Sequence, residues 1–458
     1  MGQTPPPLSD LVSHPGTERL LIRFSPEGVM QGYRDILQEL QRAVSQGHAV
    51  DPAALEADGI VARLESRLAA NDDAWLQQVV NATGTVLHSG LGQALLPEAA
   101  IDAMCHAASQ PVTLEYDLSQ GAFGRREQSI EHLLMDLTGA EAATVVNNGA
   151  AAVLLVLNTL AGGKDVIVSS DDLVAGDDLL SLRAVCAASG AHLRVVGVAG
   201  RVSLRDYENA VTERSGLLLR VYAGHSVARD GGSEVDLAAL AAIGRAHGVP
   251  TIEYLGNGAL IDLSRYGLPK EPVVAERLAL GADVVMFSGD TVMGGPQSGL
   301  VVGSATCAGA GGRNGLQRVL QCGKLTIAAL EATLRLYRES ACIAQEIPTL
   351  RAWTRPLHEI EDTAKRALPA LISALGPGFQ VSVQDEMSRM GTGGQWSEIH
   401  TKVIVVEHDF LGGHRIAGRF RQTRPPIIGR VEDESVVLDA RTIFDPLDMV
   451  PNWTDELA

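Results

Sequence analysis

Asp283-Val284-Val285-Met286-Phe287-Ser288-Gly289-Asp290-Thr291-Val292-Met293-Gly294-Gly295-Pro296-Gln297-Ser298-Gly299-Leu300-Val301-Val302 is the stretch on which the reading of this chain turns. Both ends are short apolar, β-branched runs of strand length. Between them Gly294-Gly295-Pro296 marks a turn, because glycine takes backbone angles that other residues avoid and proline cannot donate to a sheet ladder. Thr291 therefore follows the end of one strand and precedes a turn.

The same texture runs outward in both directions. Candidate strands lie at 143–146, 165–168, 193–196, 216–219 and 250–253, with helical runs between them that include 150–160 and 237–247. Strands alternating with helices indicate an α/β fold, a mainly parallel sheet covered on both faces. A helix over 325–337 leads into a smaller α/β segment with strands at 379–383 and 402–406, expected to close against the large one. Residues 1–75 read as helical, with Pro15, Pro26 and Pro52 as punctuation and apolar residues at helical spacing over 29–44 and 55–68. The expected divisions are thus 1–75, 76–338 and 339–458, with no internal repeat.

Composition narrows the function classes. A chain of 458 residues, 46% hydrophobic and 20% charged, can bury a large interior. Its net charge of −18 argues against a general nucleic-acid binder, which needs a basic footprint against phosphates. Residues 1–75 hold six Arg against eleven Asp plus Glu, so transfer RNA is disfavoured there, although a local basic groove elsewhere is compatible with the total. Only five lysines occur, Lys164, Lys270, Lys324, Lys365 and Lys402, so imine-forming amines are few. The five cysteines are scattered without metal-ligand spacing, as in reduced thiols of a cytoplasmic protein, and no metal site is expected. Cys322 lies close to Lys324, a cation that could favour thiolate, against the plainer reading of a small buried hydrophobe, which is preferred. No targeting segment and no membrane span is expected.

Several motifs together resemble bacterial selenocysteine synthase, the L-seryl-tRNA(Sec) selenium transferase family. They include Asn81-Ala82-Thr83-Gly84, Leu114-Glu115-Tyr116-Asp117-Leu118, Val146-Asn147-Asn148-Gly149-Ala150-Ala151, Phe287-Ser288-Gly289-Asp290, Gly294-Gly295-Pro296-Gln297, Lys324-Leu325-Thr326 and Pro425-Pro426-Ile427-Ile428-Gly429-Arg430. The resemblance covers the chain from about Asn81 onward. It implies the aspartate-aminotransferase fold (fold type I) of pyridoxal-phosphate (PLP) enzymes, active sites shared between subunits of a homo-oligomer, and chemistry at the β-carbon of a serine-like substrate.

The chain departs from that family where the chemistry should be. The family's Schiff-base lysine is Thr291 here, and a hydroxyl neither forms an imine nor titrates near neutral pH. The family's Glu-Asp-Leu-Gly-Ser-Gly reads Glu253-Tyr254-Leu255-Gly256-Asn257-Gly258, so a phenol replaces the carboxylate that should face the pyridine nitrogen. Gln93 stands for an expected arginine and Ser129 for an expected histidine.

The remaining candidates follow from residue chemistry and from the resemblance. Asn147, Asn148, Gly149 and Ala150 end a strand and open a helix, where free N–H groups can hold a phosphate or carboxylate. With Ser288 and Lys324 they form the expected cofactor side. Arg126, Gln297 and Arg430 are the expected substrate contacts, Arg430 equally an inter-domain ion pair. His88 and His225 are candidate acid–base groups, and Tyr254 a ring-stacking or volume-filling group.

Three functions compete. The chain is a relative with a remodelled cleft that takes an amino-acid-like or anionic ligand, with PLP held at most noncovalently. Or it is a noncatalytic partner subunit of an active paralogue. Or it is an ordinary PLP transferase or lyase whose lysine was mutated, against which Tyr254 and Gln93 count.

Overall fold

The structure, a computed structural model, describes residues 5–45, 52–72, 76–222, 235–392 and 395–452. It divides into two compact units, Met1–Gln78 and Val79–Ala458.

In the first unit proline sets the helix starts. Pro15 opens α1 (Pro15–Arg23) and Pro26 opens α2 (Pro26–Ser45), positions where a missing N–H is harmless. Val29, Tyr33, Ile36 and Leu40 recur every three or four residues along α2 and are buried with Leu20, and with Ile60 and Leu64 of α3 (Ala57–Asp72). The Tyr33 phenol shares a 2.6 Å hydrogen bond with Thr17, so the polar atom it buries is satisfied. Arg63 and Arg67 of α3 pair with Glu39 of α2 on the outside.

The second unit is built on seven strands: β1 (Ala142–Val146), β2 (Asp165–Ser169), β3 (His192–Val196), β4 (Ser215–Val221), β5 (Thr251–Tyr254), β6 (Val284–Ser288) and β7 (Gly299–Gly303). Their spatial order is β1-β7-β6-β5-β4-β2-β3. β7 runs antiparallel to both neighbours and every other pairing is parallel. Successive strand residues face opposite sides, and both sides are apolar. Met286, Ile252, Leu219 and Val301 pack with α6 (Gly149–Ala161) on one face. Val285, Phe287 and Leu300 pack with Ile130 and Leu134 of α5 (Gln128–Thr138) and Leu330 and Leu334 of α8 (Lys324–Glu339) on the other. The helix α4 (Glu98–Ser109) and the helix α7 (Leu237–His247) complete the set used below. The expected mainly parallel α/β sheet is present, with each candidate strand within one or two residues of its predicted position.

A second sheet follows, with β8 (Phe379–Thr392), β9 (Gln395–His408), β10 (Arg430–Glu432) and β11 (Ser435–Asp439) in the order β8-β9-β11-β10, all antiparallel. Ile360, Ala364 and Leu371 of α9 (Leu357–Leu375) cover it through Ile404, Val406, Val436 and Leu438. β8 and β9 run 14 residues each, well past the apolar runs at 379–383 and 402–406. The ladder is made by backbone groups, so the polar residues beyond those runs extend it without an apolar signature.

The Asn81-Ala82-Thr83-Gly84 motif is a docking device. Val80 and Asn81 pair in parallel with Ile427 and Ile428. Gly84 has φ +78°, and a Cβ there would lie 2.0 Å from a carboxylate oxygen of buried Asp439, so only glycine fits. Among the described residues no helix is long and apolar enough to cross a membrane.

Candidate functional site

The C-terminal ends of β1, β5 and β6 lie together, the usual ligand-binding edge of an α/β sheet. β1 ends at Val146 and passes through Asn147 into α6. Asn148 is the N-cap: its backbone is extended and its side-chain oxygen accepts from the Ala151 N–H at 2.8 Å. The N–H of Asn147 donates to the Leu320 carbonyl.

Tyr254 ends β5 and is 5% exposed. It hydrogen-bonds with Ser288, the last residue of β6, and burial pushes its phenol above the ordinary range, with the Asp290 charge adding to the effect. Both hydroxyls stand directly at the head of α6. A Cβ built on Gly149 would lie 2.6 Å from the Ser288 oxygen and 2.7 Å from the Tyr254 oxygen.

Thr291 is buried in the loop after β6. Its hydroxyl lies 2.8 Å from the Asn257 carbonyl and 3.1 Å from the Ser288 carbonyl, as donor to either. The Gly294 N–H closes a turn back to the Thr291 carbonyl. Asp290, raised by burial, shares a hydrogen bond with the Gln297 side chain. Thr291, Tyr254, Ser288, Gly149 and Gln297 are thus gathered at one end of the sheet. The next segment reaches them too, since the Ala94 N–H donates to the Asp290 carbonyl at 3.3 Å. His88 begins that segment, accepting from Leu91 and Gln93 through its carbonyl, while its buried Nδ1 has no hydrogen-bond partner among the described residues.

Arg126 and Lys324 lie elsewhere, in a cleft of about 380 Å³ between α4 and α8, lined also by Ser129, His106 and Glu331. The guanidinium of Arg126 donates to Glu115 and to the Cys322 carbonyl, and Ser129 donates to Glu331. Cys322 itself is buried, with its thiol pushed up to about 12 by burial, so no thiolate forms near neutral pH. Arg430 is in the second sheet, where its fork serves Glu386, Glu432, Asp439 and the Thr83 carbonyl. That arrangement is an ion pair joining the Asn81–Gly84 docking loop to the sheet. His225 falls outside the described residues.

Two groups escaped the sequence reading. Glu253, fully buried beside Tyr254, takes a two-point bond from Arg277 and an ion pair from Arg220. Its signal was a carboxylate inside an otherwise apolar strand. Asp290 lies within a quoted motif, yet only folding shows that its carboxyl is buried.

The profile of the L-seryl-tRNA selenium transferase family (SelA) matches residues 79–444. The chain belongs to that family. The L-seryl-tRNA(Sec) selenium transferase of Methylocella silvestris is 40% identical over 445 residues, covering 96% of this chain and 94% of its own. That of Haemophilus influenzae strain Rd is 36% identical over 454 residues, covering 99% and 98%. A solved D-glucosaminate-6-phosphate ammonia-lyase superposes with a TM-score of 0.55 at 18% identity, over 80% of this chain and 91% of that one, a likeness of fold alone. The fold is fold type I, as the resemblance implied.

At position 291, where the family resemblance expects the Schiff-base lysine, this chain carries a threonine. The group at position 291 is a hydroxyl committed to main-chain carbonyls, and that at position 254 a neutral phenol bound to Ser288. The relatives' names include a seryl-tRNA, which runs against the expectation from the acidic N-terminal segment that tRNA binding is disfavoured. Net charge averages over a surface and does not describe a local groove.

Proposed function

We propose that this member of the selenium transferase family keeps the scaffold and has given up covalent PLP chemistry, using its remodelled cleft for an amino-acid-like or anionic ligand. An aminoacyl group, free or carried on tRNA as in the relatives' names, belongs to that class. The observation that carries the reading is Thr291, whose hydroxyl is spent on the Asn257 and Ser288 carbonyls where an amine is required. Tyr254 supports it independently, because a neutral phenol cannot keep a pyridine nitrogen protonated.

The test is an absorbance spectrum of the purified chain with added PLP, followed by borohydride and peptide mapping. No bleachable imine band and no specifically labelled lysine are expected. Stoichiometric fixation on one lysine would overturn the proposal.

A second reading is that the chain is a noncatalytic partner of an active paralogue in a cytoplasmic homo- or hetero-oligomer. What favours it is the filling of the cleft end by Tyr254 against Gly149 and Ser288. Turnover of a small amino acid by the isolated chain would count against it.

A further inference from the structure

Tyr254 and Ser288 occupy a place where the family resemblance expects two different parts of the coenzyme. Position 254 is where the pyridine nitrogen should find its partner, and the head of α6 with Ser288 is where the phosphate should sit. The Tyr254 side chain points from its strand to the head of α6. It starts at the end of β5 and ends at Ser288 and Gly149, with its oxygen 2.7 Å from a Cβ built on Gly149 and a ring carbon, Cε2, at 3.5 Å. Tyr254 is 5% exposed, so its ring is packed and not swung into solvent. A phenol and a pyridine are rings of about the same size, and packed interiors do not hold two rings in one volume.

We propose that Tyr254 is a specificity-determining plug: its ring stands in the volume of the pyridine and its hydroxyl caps the anion-binding face shared by Gly149 and Ser288, so the cleft refuses PLP even as a noncovalent ligand. This rests on and deepens the reading given above, which took Thr291 for its missing amine and Tyr254 for its electronics, by assigning Tyr254 a steric role as well. The two losses are separate locks. Restoring the amine by itself leaves the coenzyme without a seat, and removing the plug by itself opens a seat without a tether.

The experiment compares the unchanged chain with Thr291→Lys, Tyr254→Ala and the double variant, using PLP itself as the probe. Binding is read by equilibrium dialysis, and covalent capture by borohydride reduction and peptide mapping. Circular dichroism and cooperative thermal unfolding show that each variant is folded. Thr291→Lys alone is expected to retain no more PLP than the unchanged chain. Tyr254→Ala is expected to bind PLP reversibly, at least tenfold tighter, and the double variant to fix it at position 291. Tyr254→Phe, which keeps the ring, is expected to stay closed, and Tyr254→Asp replaces Tyr254→Ala as the opened variant if the latter does not unfold cooperatively.

The plug is overturned if Thr291→Lys alone captures PLP at position 291 as fully as the double variant. It is equally overturned if the unchanged chain or Tyr254→Phe binds PLP as tightly as the opened variant. Failure of the earlier reading looks different, because it requires the unchanged chain to fix PLP on a lysine of its own.

Discussion

Thr291 is joined to Asn257 by a hydrogen bond of 2.8 Å from its hydroxyl to the main-chain carbonyl, across the two loops that follow β6 and β5. The Thr291 side chain is a fastener between loops. Thr291→Val keeps the shape and removes the donor, so the chain should lose about 1 kcal/mol of stability. Urea midpoints at unchanged slope measure this, and an unaltered midpoint would show that the bond does nothing for the fold.

Gly149 should tolerate no side chain. Gly149→Ala puts a methyl group against the Ser288 and Tyr254 hydroxyls, and overpacking of this kind costs about 1–3 kcal/mol. Ser288→Ala in the same chain removes one of the two clashing atoms. The double variant should then be more stable than the sum of the single losses predicts, by at least about 0.5 kcal/mol. Strict additivity would place the strain somewhere else.

Arg430 should matter for stability more than for ligand binding. Its removal takes from Asp439, which is fully buried, a cation that acts on it besides Arg441, and breaking a buried pair costs about 3–5 kcal/mol. Arg430→Lys should recover only part of this, since an ammonium cannot serve three carboxylates and the Thr83 carbonyl with one planar fork. A loss below about 1 kcal/mol in Arg430→Ala would contradict the role assigned here.

Stability should also carry a signature of Glu271. This carboxyl is 2% exposed, one of its oxygens has no hydrogen-bond partner among the described residues, and burial pushes it up to about 7 from the ordinary 4.5. Between those two values the unfolded chain has released a proton that the folded chain keeps. Stability therefore falls as pH rises through that window, by about 3 kcal/mol in all, and levels off above it. Glu271→Gln should flatten the slope. Equal slopes in the two proteins, measured by denaturant titration on both sides of the window, would assign the titration to another group, Asp172 being the next buried carboxyl at about 7.

The sequence by itself determined the sheet, the helices and the absence of an amine at position 291. β-branched runs such as Val284–Phe287 have one stable use, a strand buried on both faces, and a threonine at position 291 has no amine in any conformation. Only the tertiary structure decided which of the candidate residues meet. That Tyr254 reaches Ser288 and Gly149, that Arg430 is consumed by Glu386 and the Thr83 carbonyl, and that Arg126 and Lys324 share a cleft are contacts between segments far apart in the chain. Local spacing states which residue types are available. Which of them meet, and which are already bonded when they do, depends on packing that brings distant strands and loops together, and no local pattern encodes it.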